Sequence, residues 1–501
     1  MKLAPRWLWL PTLVAAALTV SPLIYIGLRV SEGWAAAAAE IARNRTLELL
    51  FNSLLLTGSV TLAALGLGIS QAWVASRTAR SKSRVIALVA ILPLALPSYV
   101  AALGWVAAFP GANGFLPAWA VLTVGTAPYV FLATYAALQS SDFAAEDAAR
   151  SLGAGEWRIF FRVTWPEIRT AATLSGLLVA LYVLAEFGAL AFLRYETFTV
   201  AIFNAYRSSF DRTAAASLSL VLVVIALAVI AIEARYRSRA GQSVSRPNRL
   251  AATWGLPAIV AWAIALPSVV AVIVPLLSLT RWSLVGTSRA PMEDVFWAAV
   301  TSLALAAIAA LVIGAFAIAF SLVIQRRPGR LSRLADRIVW ATHALPAIVI
   351  ALAIVFFGSR YLTAWYQTLP LLLIGYLILL LPNAIGGVSA TLLQVSSRVE
   401  EAAQTIGVSG WNVLRRVTLP LARSGIFAAL ALVSIAVFRE LPLTLLLRPT
   451  GLDTLATEIW TATSVGSFAA AAPYGLVMVL LAGIPSVLLH WQSQRLVRAD
   501  S

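Results

Sequence analysis

Twelve long apolar stretches alternate with short polar segments along the whole chain. They lie at about 7–30, 49–74, 85–109, 115–138, 171–193 and 214–233, then at about 251–279, 297–323, 338–357, 368–392, 424–447 and 471–490. A helix needs about 20 apolar residues to cross a bilayer. Lipid offers no hydrogen bonds, so only helices or closed barrels can satisfy the backbone there. The ten-residue alternating segments of a barrel are absent. The pattern therefore predicts an all-α, polytopic membrane protein of about 12 transmembrane helices, in two sets of six. The first stretch follows Lys2 and Arg6 but exceeds the 7–15 residues of a signal-peptide core, so it reads as a retained helix.

The polar segments orient the spans. With the N-terminus inside, 26 of the 37 Lys and Arg fall on the inner side and 10 on the outer, and Arg439 lies within a span. That bias puts both termini in the cytoplasm. It also gives both sets of six the same orientation, a parallel duplication rather than an inverted one. The net charge of +16 is thus a topology signal, with no block suited to nucleic acid. Membrane lipid is the expected surrounding.

The duplication is visible in detail. Leu96-Pro97 recurs as Leu345-Pro346, and Asn52-Ser53-Leu54 has its counterpart in Thr301-Ser302-Leu303. The expected organisation is a first half at 1–233, a cytoplasmic Arg-, Ser- and Gly-rich linker at 234–250, and a second half at 251–501. Each half carries one charged cassette on the inner side. The first has Glu146, Asp147, Ala148, Ala149, Gly153, Trp157 and Pro166. The second has Glu400, Glu401, Ala402, Ala403, Gly407, Trp411 and Pro420, every position 254 residues later. Ser141-Asp142 can cap a helix running through Glu146 to Leu152. Gly153 then permits a left-handed turn, and a second short helix is expected at about 155–162 before Pro166 opens the next span. The second copy predicts the same elbow around Gly407. The two loops span about 141–166 and 395–420.

Composition removes several chemistries. Cysteine is absent, and His343 and His490 are the only histidines, so no metal cluster or catalytic constellation is expected. The only lysines, Lys2 and Lys82, lack the glycines of a phosphate-binding Gly-x-x-x-x-Gly-Lys loop. The chain cannot hydrolyse ATP and is not an enzyme on this reading.

The cassettes resemble the EAA loop in membrane subunits of bacterial type I ATP-binding-cassette importers. The second copy carries the family pattern as Glu401-Ala402-Ala403, Gly407 and Leu419-Pro420. The first departs from it with Asp147 and Trp165. The resemblance implies that each loop is a coupling helix seated on an ATPase subunit. It implies two copies of a cytoplasmic ATP-binding subunit, with ATP and Mg held there and no cofactor on this chain. A periplasmic or lipid-anchored substrate-binding protein is implied as well, and a location in the bacterial inner membrane. The stretch 438–449, together with Asp453-Thr454-Leu455-Ala456, is similar to fused two-domain ferric-iron permeases. That makes ferric iron the expected cargo, with thiamine, polyamine or an oxyanion such as sulfate as alternatives carried by related permeases. A twelve-helix secondary transporter would share the span count, but would not need the two cassettes.

Charges within the membrane are costly and mark candidate sites. Glu186 and Glu440 share the 254-residue offset, and Arg439 adjoins the second. Each glutamate lies about 15 residues past its expected span start, roughly 22 Å deep. Gly188 and Pro442 follow closely and can loosen the helices there. The pair reads as a gate or translocation-path site, or as a structural partner of Arg439.

Overall fold

The computed structural model describes residues 5–78, 80–139, 143–207, 211–239, 258–343, 345–405 and 407–499. Every regular element among them is helical. Nine helices there are long and apolar enough to cross a membrane, from Arg6–Glu32 through Gly410–Phe438. The expected third span is two helices, Ser83–Ala95 and Ser98–Ala108, bent by 88°. The expected ninth is a similar bent pair, Arg330–Thr342 and Ala347–Tyr361. The breaks fall at Leu96-Pro97 and Leu345-Pro346. Proline removes an N–H and its ring collides with the preceding turn, so these segments bend sharply instead of running straight. The twelfth stretch begins the helix Phe468–Ala499.

Lipid acts as solvent for this fold. Leu10, Leu62, Leu311, Leu432 and Leu480 all lie on apolar helices with more than half their surface exposed. Some close contacts between helices are made at small residues, as expected where apolar burial offers little drive. A Cβ on Gly68 would lie 2.7 Å from the Ala127 carbonyl oxygen, so the helices Asn44–Arg77 and Phe115–Gln139 touch backbone to backbone. Around that contact Leu56, Val60, Ala64, Leu122, Val130 and Val179 form a buried cluster.

The chain packs as two compact units, and these are not the two sequence halves. One comprises Glu40–Phe210 and Val221–Gly286; the other comprises Met1–Ala39, Asp211–Leu220 and Thr287–Ser501. Against the halves expected at 1–233 and 251–501, the helix Arg6–Glu32 packs in the unit that holds Thr287–Ser501, and the helix Ala258–Val285 in the unit that holds Glu40–Phe210. In the unit built on 40–210, the helix Ala258–Val285 is held by polar and close contacts. Gln71 Nε2 donates to the Ile264 carbonyl (3.2 Å) and the Ser268 hydroxyl (3.0 Å). Trp282 Nε1 donates to the Ala107 carbonyl (3.1 Å). Pro275 fills the space a Cβ on Gly104 would occupy. In the other unit, Tyr25 packs against Phe356 with centroids 5.2 Å apart, and Arg29 lies 4.8 Å over the same ring. Most of the linker expected at 234–250 lies outside the described residues.

The exchanged span gives a direct test. Gly104→Val is expected to lower the unfolding midpoint in detergent by several degrees, since overpacking costs about 1–3 kcal/mol. Gly58→Val should leave the midpoint unchanged, because an added Cβ there meets nothing within 4 Å.

Candidate functional site: two elbows and two capped helix breaks

The first elbow begins with the helix Phe143–Ser151. Its C-terminus closes through two bonds: the Gly153 N–H donates to the Arg150 carbonyl (3.0 Å) and the Ala154 N–H to the Ala149 carbonyl (3.0 Å). This paired closure needs a left-handed residue between its ends, and Gly153 has φ +79°. The second elbow repeats it. The helix Ser397–Thr405 ends with the Val408 N–H donating to the Ala403 carbonyl (3.2 Å), and Gly407 has φ +87°. The second alanine of each motif therefore supplies the closing acceptor. Ser141 and Asp142, expected as the first cap, lie outside the described residues.

Beyond the glycine the structure departs from expectation. The second short helix is not separate from the following span. Glu156–Ala185 and Gly410–Phe438 each run as one continuous helix, so these spans begin 15 and 14 residues earlier than the apolar pattern at 171 and 424 suggests. Each contains a π-helical turn, Phe160–Thr164 and Leu414–Thr418, just ahead of Pro166 and Pro420. A wider turn accommodates the missing N–H and the proline ring without breaking the helix. The second arm of each elbow is thereby the first segment of a helix about 45 Å long at 1.5 Å per residue.

Adjacent acids in each motif point to different surroundings. Glu146 and Glu400 are 4% and 2% exposed. Glu146 accepts from Arg77 and from the Thr164 hydroxyl (2.6 Å). Glu400 accepts from Arg326 Nη2 (3.2 Å) and the Thr418 hydroxyl (2.8 Å). Asp147 and Glu401 are exposed. Asp147 pairs with Arg150 at 2.5 Å, and Arg150 reaches Glu156 at 3.4 Å on the far side of the glycine turn. Ala148 and Ala402 are exposed, while Ala149 and Ala403 are half-buried. Trp157 is 78% exposed beside Leu152 at 87%. Trp411 is met edge-on by Trp7 at 5.6 Å.

Arg77, Arg326, Thr164 and Thr418 join the site although no motif marks them. A signal for them was present, since Thr164 and Thr418 share the 254-residue offset and Arg77 and Arg326 the 249-residue offset of the earlier repeat.

Glu186 and Glu440 sit at the other ends of the two long helices. Each precedes a short helix, Gly188–Phe192 or Pro442–Leu447. Glu186 Oε1 accepts the Ala189 N–H (3.0 Å) and the Ser98 hydroxyl (3.0 Å). Glu440 accepts the Leu443 N–H (2.8 Å), the Thr444 N–H (2.9 Å) and the Thr444 hydroxyl (2.6 Å). Both carboxylates thus cap a helix N-terminus, where free N–H groups and the dipole favour an anion. Arg439 ends the helix Leu419–Phe438. No group of three or more metal-ligating side chains occurs among the described residues.

The caps are expected to be measurable. Glu440→Leu leaves two buried N–H groups without their acceptor, at about 1–3 kcal/mol each, and should lower the unfolding midpoint. Glu440→Gln keeps a carbonyl oxygen and should retain most of the stability. Equal midpoints for the two variants would refute the capping role.

A family model described as a binding-protein-dependent transport system inner membrane component matches residues 64–242 and 317–498. Each matched segment includes one elbow. The chain is 32% identical over 495 residues to the Fe(3+)-transport system permease protein FbpB 2 of Haemophilus influenzae, covering 97% of this chain and 98% of that protein. It is 29% identical over 161 residues to the putative 2-aminoethylphosphonate transport system permease protein PhnV of Salmonella typhimurium, covering 32% and 59%. It is also 28% identical over 200 residues to the molybdenum transport system permease protein ModB of Mycobacterium bovis, covering 37% and 75%. With both elbows inside the matched segments, this multi-pass chain belongs to the family of inner-membrane components of binding-protein-dependent transport systems.

Proposed function

We propose that this chain is the fused transmembrane subunit of an ATP-driven importer of ferric iron. The observation that carries the transport mechanism is the duplicated elbow, with the same glycine turn, buried acid and π turn in both copies. Near full-length similarity to a ferric-iron transport permease supports the cargo. Shorter similarity to the molybdenum permease favours an oxyanion as the second reading.

On this reading both termini and both elbows face the cytoplasm. Each elbow seats one copy of an ATPase subunit, which holds ATP and Mg. Exposed Leu152 and Trp157 supply apolar contact at the first seat, with exposed Arg158 and Arg162 beside them. A separate binding protein delivers substrate to the opposite face. ATP-driven closure of the ATPase pair moves the elbows, and the long helices carry that motion to the capped breaks at Glu186 and Glu440. Docking must be tighter in one transport state than the other, since equal affinity shifts no equilibrium. The two glutamates border the translocation path and hold the far-end helices in register as they move.

Reconstitution with the ATPase and binding protein tests the reading. Uptake of radiolabelled ferric iron should require all three components and MgATP, and molybdate or sulfate should not replace it. Uptake driven by an ion gradient without the ATPase would overturn the importer reading. Gly153→Val and Gly407→Val force a β-branched residue into a left-handed conformation. Each is expected to cut iron uptake at least tenfold while the protein still inserts. Unchanged uptake in both would remove the elbow turn from the mechanism.

A further inference from the structure

In each elbow two acidic residues stand side by side, and the structure gives them opposite surroundings. Successive residues of an α-helix point about 100° apart, so one acid of a pair can face inward while the next faces out. Glu146 and Glu400 face inward. Around Glu146, Arg77 is 1% exposed and Thr164 is 1% exposed. Around Glu400, Thr418 is 2% exposed and the Arg326 side chain 13%. A carboxylate so enclosed by its own chain offers little surface to a partner. The exposed neighbours, Asp147 and Glu401, do.

Each inward carboxylate joins three separate elements. Glu146 lies on the elbow helix. Arg77 is the last residue of the helix Asn44–Arg77, anchored by a bond from Nη1 to the Ser76 hydroxyl (3.0 Å) and by its position 5.0 Å over the Trp73 ring. Thr164 belongs to the π turn of the long helix that leads to Glu186. The second copy joins the elbow helix, the end of Met292–Arg326 and the π turn at Leu414–Thr418 in the same way. Burying an ion pair is expensive and is seldom the best route to stability alone. Finding the same three residue types joined in the same way in both copies points to a role that apolar packing would not fill.

We propose that Glu146 and Glu400 are positioning residues that transmit movement, each locking its elbow to two membrane helices through an arginine and a threonine. The outward acids, Asp147 and Glu401, are the ones that meet the ATPase. A push on the elbow then displaces the second and fifth spans of its half together. Without the lock, the elbow pivots on its glycine and the push is lost. This inference rests on the importer reading above, which supplies the ATPase that pushes.

The test separates docking from transmission in the reconstituted complex. Glu146→Gln with Glu400→Gln is expected to leave co-purification of the ATPase intact and ATP hydrolysis within about twofold, while iron transported per ATP falls at least tenfold. Asp147→Arg with Glu401→Arg should instead abolish co-purification. If the glutamine variant does not insert, Thr164→Val with Thr418→Val provides the second measurement. It keeps both ion pairs and removes only the hydroxyl donors, and should lower transport per ATP at least threefold. Unchanged transport per ATP in the glutamine variant, or in the valine variant if the former does not insert, overturns the proposal. Loss of ATPase co-purification in either does so too, because the inward acids would then be docking contacts. Failure of the wild-type chain to co-purify with any ATPase would instead overturn the importer reading itself.

Discussion

A buried carboxylate held by an arginine and a threonine closes each elbow, and the shape of the surrounding structure depends on it. Glu146 and Glu400 are among the few charged side chains buried in the described part of the chain. Each sits where three helical segments converge. Without a cationic partner, an ionised carboxylate could not stay there. The end of the helix Asn44–Arg77 must therefore reach the elbow, and so must the first turns of Glu156–Ala185. The same holds for Met292–Arg326 and Gly410–Phe438 around Glu400.

That convergence gives the π turns a purpose. Proline at 166 and 420 would end or kink an ordinary helix. The widened turn lets the helix continue and turns the Thr164 and Thr418 hydroxyls onto the buried acids. One continuous helix then runs from each elbow to each glutamate-capped break. At the far end the capping glutamates serve the opposite purpose. They stabilise a deliberate interruption, where a short helix starts afresh with its N–H groups satisfied by a side chain. Each unit thus contains a continuous helix with a buried Glu–Arg–Thr cluster at one end and a capped discontinuity at the other.

Much of this was legible in the chain beforehand. The apolar pattern located the helices, and the Leu-Pro pairs at 96–97 and 345–346 marked positions that turned out to be sharp folds rather than mere signs of duplication. The glycines at 153 and 407 were expected in left-handed turns and have that conformation. Short helices after each glycine were expected, but their continuity with the fifth and eleventh spans was not legible. Arg158, Arg162, Arg415 and Arg416 interrupt the apolar run, and Pro166 and Pro420 signal a break that the π turns absorb. The roles of the paired acids were also hidden, because two adjacent carboxylates look alike until a helix face is assigned.

The sequence by itself determined an all-helical membrane protein, its duplication, and the elbows with their glycine turns. These follow from local rules: apolar length, fixed spacing and the φ that only glycine adopts freely. Tertiary structure decided which acid is buried and which arginine and threonine meet it. It also decided which unit the helices Arg6–Glu32 and Ala258–Val285 pack in. Those outcomes depend on contacts between residues far apart in the chain, such as Arg77 with Glu146 or Gly104 with Pro275. No local pattern encodes such pairings; they arise only when the helices are packed and every buried polar group must find a partner.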